Sequence, residues 1–90
     1  MPYIKPERRT RYDDTINELV FRLLHCPIGD LNYVITSLIA TRWVQSPCYQ
    51  TIVEITGMLN DAKTEFERQV VAKYEDQKIL ENGSIYPEVV

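Results

Sequence analysis

The sequence predicts an all-α fold: a small three-helix domain with a long C-terminal helix and extended terminal arms, assembled as an oligomer. Three observations predict it. Apolar residues recur at i, i+3, i+4 and i+7 along the chain. Pro27 with Gly29, Ser46-Pro47 and Asn82-Gly83 cut that pattern into three segments. Ninety residues hold one modest core and leave a large share of the surface in water, so self-association is expected to supply the missing burial. Residues 1–90 therefore read as a single helical domain.

Pro2 and Pro6 disfavour helix just before themselves, and residues 1–12 read as a basic extended arm. Its Tyr3, Ile4 and Tyr12 are expected to dock on the body or on a neighbouring subunit, since a free tail gains nothing from apolar groups. From Asp13, a plausible N-cap, the residues Ile16, Leu19, Val20, Leu23 and Leu24 define an amphipathic helix over about 13–26. Pro27 and Gly29 break it, and Asp30 is placed to cap a second helix over about 30–45. The stripe of that helix is Leu31, Val34, Ile35, Leu38 and Ile39, extended by Trp43 and Val44. Ser46-Pro47 is a start signal for the third, because the hydroxyl caps free amides and proline suits the first helical position.

The third helix has no stop before Asn82-Gly83 and carries Tyr49, Ile52, Ile55 or Thr56, Leu59, Ala62, Phe66 and Val70 on one stripe; Gly57 costs it about 1 kcal/mol relative to alanine. Unbroken to Glu81 it would run about 35 residues and some 50 Å, twice what the first two helices cover. It is therefore expected to bend near Ala72, or to pack its far half on another copy. The charges from Glu65 to Glu81 read as a solvated face with i,i+4 pairs. Residues 84–90 read as an extended tail with Ile85 and Tyr86 available for packing.

Composition excludes several functions. Lys5, Arg8, Arg9 and Arg11 against Glu7 give the first twelve residues a net +3, which within a total of −3 leaves −6 on the rest. An acidic body repels phosphate backbones, so nucleic acid is not the expected partner. Cys26 and Cys48 lack C-x-x-C spacing and the chain has one histidine, so neither a zinc site nor a disulfide framework is signalled, and two reduced thiols in the cytoplasm are expected. No apolar run suits a membrane span or a signal peptide. His25 and Cys26 are adjacent on a helix and point about 100° apart, which argues against a base–nucleophile pair. Carboxylate pairs at Asp13-Asp14 and Glu75-Asp76 do not converge from separate elements. No enzymatic activity, metal or cofactor is expected.

Six tyrosines, one tryptophan and the arginines of the arm make a better case for a binding surface. Tyr3, Tyr33 and Tyr74 are the stacking candidates, and Arg8, Arg9 and Arg11 the phosphate or carboxylate grips. Tyr33, Tyr49 and Tyr74 also lie near the apolar stripes, where a core role with the hydroxyl at the rim is equally open.

The segment Gly29-Asp30-Leu31-Asn32-Tyr33-Val34-Ile35-Thr36 resembles a signature of an uncharacterised family of small bacteriophage and bacterial proteins. The opening Met1-Pro2-Tyr3-Ile4 with Arg8 or Arg9 is similar to a second signature. Tyr74-Glu75-Asp76-Gln77-Lys78, continuing through Glu81-Asn82-Gly83 to Tyr86, is similar to a third. Ser84 and Phe66-Glu67 depart from that family's pattern. The resemblance implies a phage or prophage origin and brings no activity. It singles out Asn32, Thr36, Asp76, Lys78 and Asn82, polar residues that helix packing alone does not require.

The expected function is a phage-encoded, non-enzymatic binding protein. Its oligomer interfaces would hold a small anionic, nucleotide-like ligand, a host immune signal that it sequesters, by analogy with other tiny acidic phage oligomers. The expected contacts are Arg8, Arg9, Arg11 and Lys78 for charge, Tyr3, Tyr33 or Tyr74 for stacking, and Asn32, Thr36 and Asn82 for ring edges. The alternative is an interaction module that occupies a host enzyme or defence protein.

Overall fold

The computed structural model describes residues 1–87. It is all-α, with helix α1 at Pro6–Arg22, α2 at Ile28–Gln45 and a long C-terminal rod. The rod comprises α3 at Tyr49–Phe66, one π turn at Glu67–Val71 and α4 at Ala72–Asn82. Among the described residues there is no strand.

Helix α1 begins seven residues before the expected start, so the basic arm over 1–12 is corrected to residues 1–5. Pro6 occupies the first helical turn behind Lys5, where its fixed φ suits a helix and its missing N–H leaves no donor idle. The proline opens the helix instead of prolonging the arm. Arg8, Arg9 and Arg11 thus sit on a helix. At the other end α1 stops at Arg22, short of 26: Leu23 closes the last turn and His25 takes a left-handed φ of 58°. Pro27 reinforces the stop by pushing the residue before it towards extended backbone.

Helix α2 starts at Ile28 behind Pro27, so Asp30 lies in its first turn and complements the helix dipole there instead of capping it. Ser46 closes α2, and the first residue flanking α3 is Cys48, two positions after the expected cap. The Cys48 Sγ lies 3.4 Å from the Thr51 hydroxyl, three residues on, and no side chain caps the helix amides.

The rod does not break at Ala72. Its backbone stays helical through Phe66, Glu67, Val71 and Ala72, and the winding switches to i→i+5 for one turn. The sequence carries a reason for the switch. Ala62, Phe66, Val70 and Tyr74 follow one another by steps of four, each drifting about 40° around an α-helix. A π turn takes back part of that drift. Gly83, at φ 85°, ends the rod, and its amide closes on the Ile79 carbonyl at 2.8 Å. Beyond it the tail is non-helical to Pro87 and curls where the Tyr86 amide donates to the Ser84 hydroxyl; residues 88–90 of the expected tail lie outside the described residues.

The helices leave their apolar faces open. No hydrophobic residue is buried among those described, and the one buried side chain is Thr51. Leu19, Leu23, Val34, Ile39 and Ile55 are half-covered, whereas Ile16, Val20, Leu24 and Leu38 are more than half exposed. The chain exposes 8481 Å², where a folded monomer of 10.6 kDa exposes about 5,500 Å². Its radius of gyration is 17.7 Å, against about 12 Å for a compact domain of this length. The longest extent, 50 Å, is close to the length of the rod alone.

Candidate functional site

The densest polar constellation lies on the rod just before the π turn, centred on Glu65. Its side chain is 17% exposed and accepts from three residues. The Tyr3 hydroxyl donates to Oε1 at 2.6 Å. Arg68 donates to both oxygens, through Nη2 at 2.6 Å and Nε at 3.2 Å. The Gln69 amide donates to Oε1 at 3.0 Å. The grip of Arg68, then Tyr3 and Gln69, holds the Glu65 carboxyl down at about 2. The same carboxylate pushes the Tyr3 phenol up, because ionising it would trade a hydrogen bond for repulsion. It also holds the Arg68 guanidinium more firmly protonated.

Residues 1–5 are positioned by this cluster. Tyr3 is pinned at Glu65, the Met1 amine pairs with Asp61 at 3.0 Å, and the Ile4 carbonyl accepts from Arg9 Nε at 2.8 Å. The expected docking on the body is therefore present for Tyr3, on α3, whereas the Ile4 contact is a local one to Arg9 and Tyr12 is exposed. Between this segment and α3 runs a groove of about 420 Å³, lined by Met1, Pro2, Val53, Gly57, Met58 and Asp61.

The other expected site residues fall into three separate groups. Asn32 and Thr36 lie one turn apart on α2, joined by a 2.8 Å bond from the threonine hydroxyl to Asn32 Oδ1. Tyr33 beside them is 74% exposed, which removes it from any core within this chain. Tyr74, Lys78 and Asn82 share one face of α4 at i+4 spacing. The Lys78 ammonium stands 5.5 Å from the Tyr74 ring centroid and 3.2 Å from a Glu81 oxygen. Lys78 and Asn82 line a groove of about 460 Å³ with Glu75, Ile79, Ser84 and Tyr86. Arg8 and Arg11 share a face of α1, and Arg9, one position on, is turned to the Ile4 carbonyl. Arg11 stands 5.9 Å from the ring of Tyr12.

Within one chain these groups do not meet. No Cα of α1 comes within 8 Å of α2 or of the rod. The three arginines therefore face neither the α2 pair nor the α4 face. Glu65, Arg68 and Gln69 escaped sequence reasoning because their i+3 and i+4 spacings are those of any solvated helix. The signal that could have found them is the arm itself, since a docked Tyr3 hydroxyl needs an acceptor.

A second groove of about 460 Å³ separates α2 from α3, lined by Ile35, Leu38, Ile39, Ile55 and Met58 with Arg42 and Glu54 at its rim. Among the described residues no three histidine, cysteine, aspartate or glutamate side chains gather as a metal site, and no helix is long and apolar enough to cross a membrane. Cys26 and Cys48 are both free thiols. Thr51, through hydroxyl and backbone, and then Ser46, push the Cys48 thiol down.

These features define a class: a helical chain with a tethered N-terminal segment, a rod carrying one π turn, and apolar faces that its own helices do not cover. The chain belongs to the family described as Domain of unknown function (DUF6899), which it matches over residues 1–85. No curated protein and no solved structure matches it.

Proposed function

We propose that this chain is a subunit of a phage-encoded homo-oligomer that works without catalysis, binding and sequestering a small anionic, nucleotide-like ligand at the seams between subunits. The observation that carries the reading is the division of the polar groups. A nucleotide requires cations for phosphate, an aromatic face for the base and amides for ring edges. The chain holds these on α1 (Arg8, Arg11), α4 (Tyr74, Lys78, Asn82) and α2 (Asn32, Tyr33, Thr36), and no close approach joins α1 to the others. A pocket that combines them requires a second copy. Lys78 alone is a weak anion site, since Glu81 already pairs with it and Glu75 shares its groove. A partner arginine would tip that balance. Phage origin rests on the resemblance of the Met1–Ile4, Gly29–Thr36 and Tyr74–Asn82 signatures, and sequestration of a host immune signal on the analogy of class.

The test is native mass spectrometry of the purified protein after incubation with linear and cyclic nucleotides and ADP-ribose derivatives, followed by spectra of the denatured extract. An oligomer carrying one of these ligands in fixed ratio, released unchanged, is the expected result. Changing Arg8 and Arg11 together to alanine should then cut affinity at least tenfold; full retention would remove these arginines from the site. An oligomer that takes up none of the panel would turn the reading to a host-protein interaction module, engaging its partner through the exposed stripe of the rod or the tyrosine-bearing termini.

A further inference from the structure

We propose that the α2–α3 groove of one copy is filled by the exposed face of α1 from a second copy, reciprocally about a two-fold axis. The inference rests on the oligomeric reading above and names its interface. Helix α1 is tethered at both ends to its own chain and packed on it in between by little. Tyr3 and Met1 pin the segment before it to α3, and residues 23–27 join it to α2. In that link His25 sits at φ 58° and Pro27 at φ −59°, and α1 and α2 make no close approach to one another. The helix is held out at a distance, with Ile16 and Val20 aligned at i+4 spacing and 51% and 53% exposed, and Leu24, in the turn that follows it, 56% exposed.

The groove offers the complementary surface. Ile35, Leu38 and Ile39 on one wall and Ile55 and Met58 on the other suit branched aliphatic side chains, and Glu54 in the same lining offsets the charge of Arg42. Only its rim, Arg42 and Glu54, is charged, as expected where an amphipathic helix enters with polar flanks outward. The area also fits a second copy. The chain exposes about 3,000 Å² beyond what a monomer of its mass shows, well above the ~800 Å² per partner of an ordinary complex and in the range of obligate dimers. An isologous contact meets the demand twice, because each chain supplies one α1 and one groove.

The experiment uses the full chain with Val20 replaced by the photo-cross-linker p-benzoyl-phenylalanine, mixed through a denaturing step with uniformly ¹⁵N-labelled wild type and irradiated. Cross-linked peptides are mapped by mass, and native mass spectra record the subunit count. Links from position 20 to residues 35–42 or 54–58 of the other isotope are expected. An oligomer whose links from position 20 stay within one isotope, or reach another surface, overturns the α1–groove contact while leaving the oligomeric reading intact. A monomer at micromolar concentration overturns both. Leu38→Asp checks the opposite wall without the probe: it should lower the subunit affinity at least tenfold with helicity retained above the association point. Unchanged association would sink the contact.

Discussion

At the residue scale the chain's best-defined chemistry is the carboxylate of Glu65. Its folded value of about 2 lies below the ordinary 4.5, so its contribution to stability is fully present above pH 4.5 and is lost as pH falls towards 2. The Tyr3 phenol is shifted the other way: its contribution is present below its ordinary 10.0 and disappears as pH rises through the higher folded value. The Tyr3–Glu65 contact is thus fully formed across the neutral range. Tyr3→Phe removes the second-ranked of the contacts that hold Glu65 down. The Glu65 carboxyl should then titrate at higher pH in a ¹³C-detected NMR titration, while Arg68 keeps it below 4.5. An unmoved titration would mean that Tyr3 does not sit on Glu65 in solution.

At the element scale the two ends of each helix tell how far the sequence could be read. The number and type of helices were legible because the stripes Ile16–Leu24, Leu31–Ile39 and Tyr49–Val70 keep a helical period. The starts were less legible, since Pro6 and Pro47 are each compatible with ending one segment or opening the next. Structure resolves the first as an opening and passes over the second in favour of Cys48. The π turn was hidden because one extra residue of winding changes no residue type, and only the drift of Phe66, Val70 and Tyr74 betrays it. The site was legible in pieces: Asn32–Thr36 and Tyr74–Lys78–Asn82 are local spacings, whereas the Tyr3–Glu65 contact spans 62 positions. Two glycines separate local from assembled constraints. A Cβ at Gly57 or Gly83 would meet no atom of the chain within 4 Å. Gly83 stands at φ 85°, ψ 150°, a region essentially reserved for glycine, so Gly83→Ala should destabilise by about 1–3 kcal/mol in a denaturant titration. Gly57 is helical and lines the groove beside Met1, so Gly57→Ala should raise subunit stability by about 1 kcal/mol if nothing approaches it. A loss of association on that change, read by sedimentation, would instead mark Gly57 as a point where another backbone comes close.

At the scale of the whole molecule, surface area and cohesion are the same problem. A chain that buries no hydrophobic residue among its described part gains little from the hydrophobic effect. Ordering its backbone still costs about 1–2 kcal/mol per residue. Helical hydrogen bonds and the Glu65 cluster do not close that gap, because exposed polar contacts contribute little net free energy. On the oligomeric reading proposed above, the fold draws its stability from association, and stability becomes a function of concentration. Thermal unfolding followed by circular dichroism should give a midpoint that rises steadily with protein concentration, as mass action requires when folding and assembly are one transition. Dilution towards the subunit dissociation constant should lose helicity and assembly together, with one midpoint for both. A midpoint independent of concentration over a hundredfold range would show that the single chain closes a core of its own. The open grooves beside α2 and along α3 would then have to be filled by rearrangement within the chain, and the division of binding groups between α1, α2 and α4 would no longer call for a second copy.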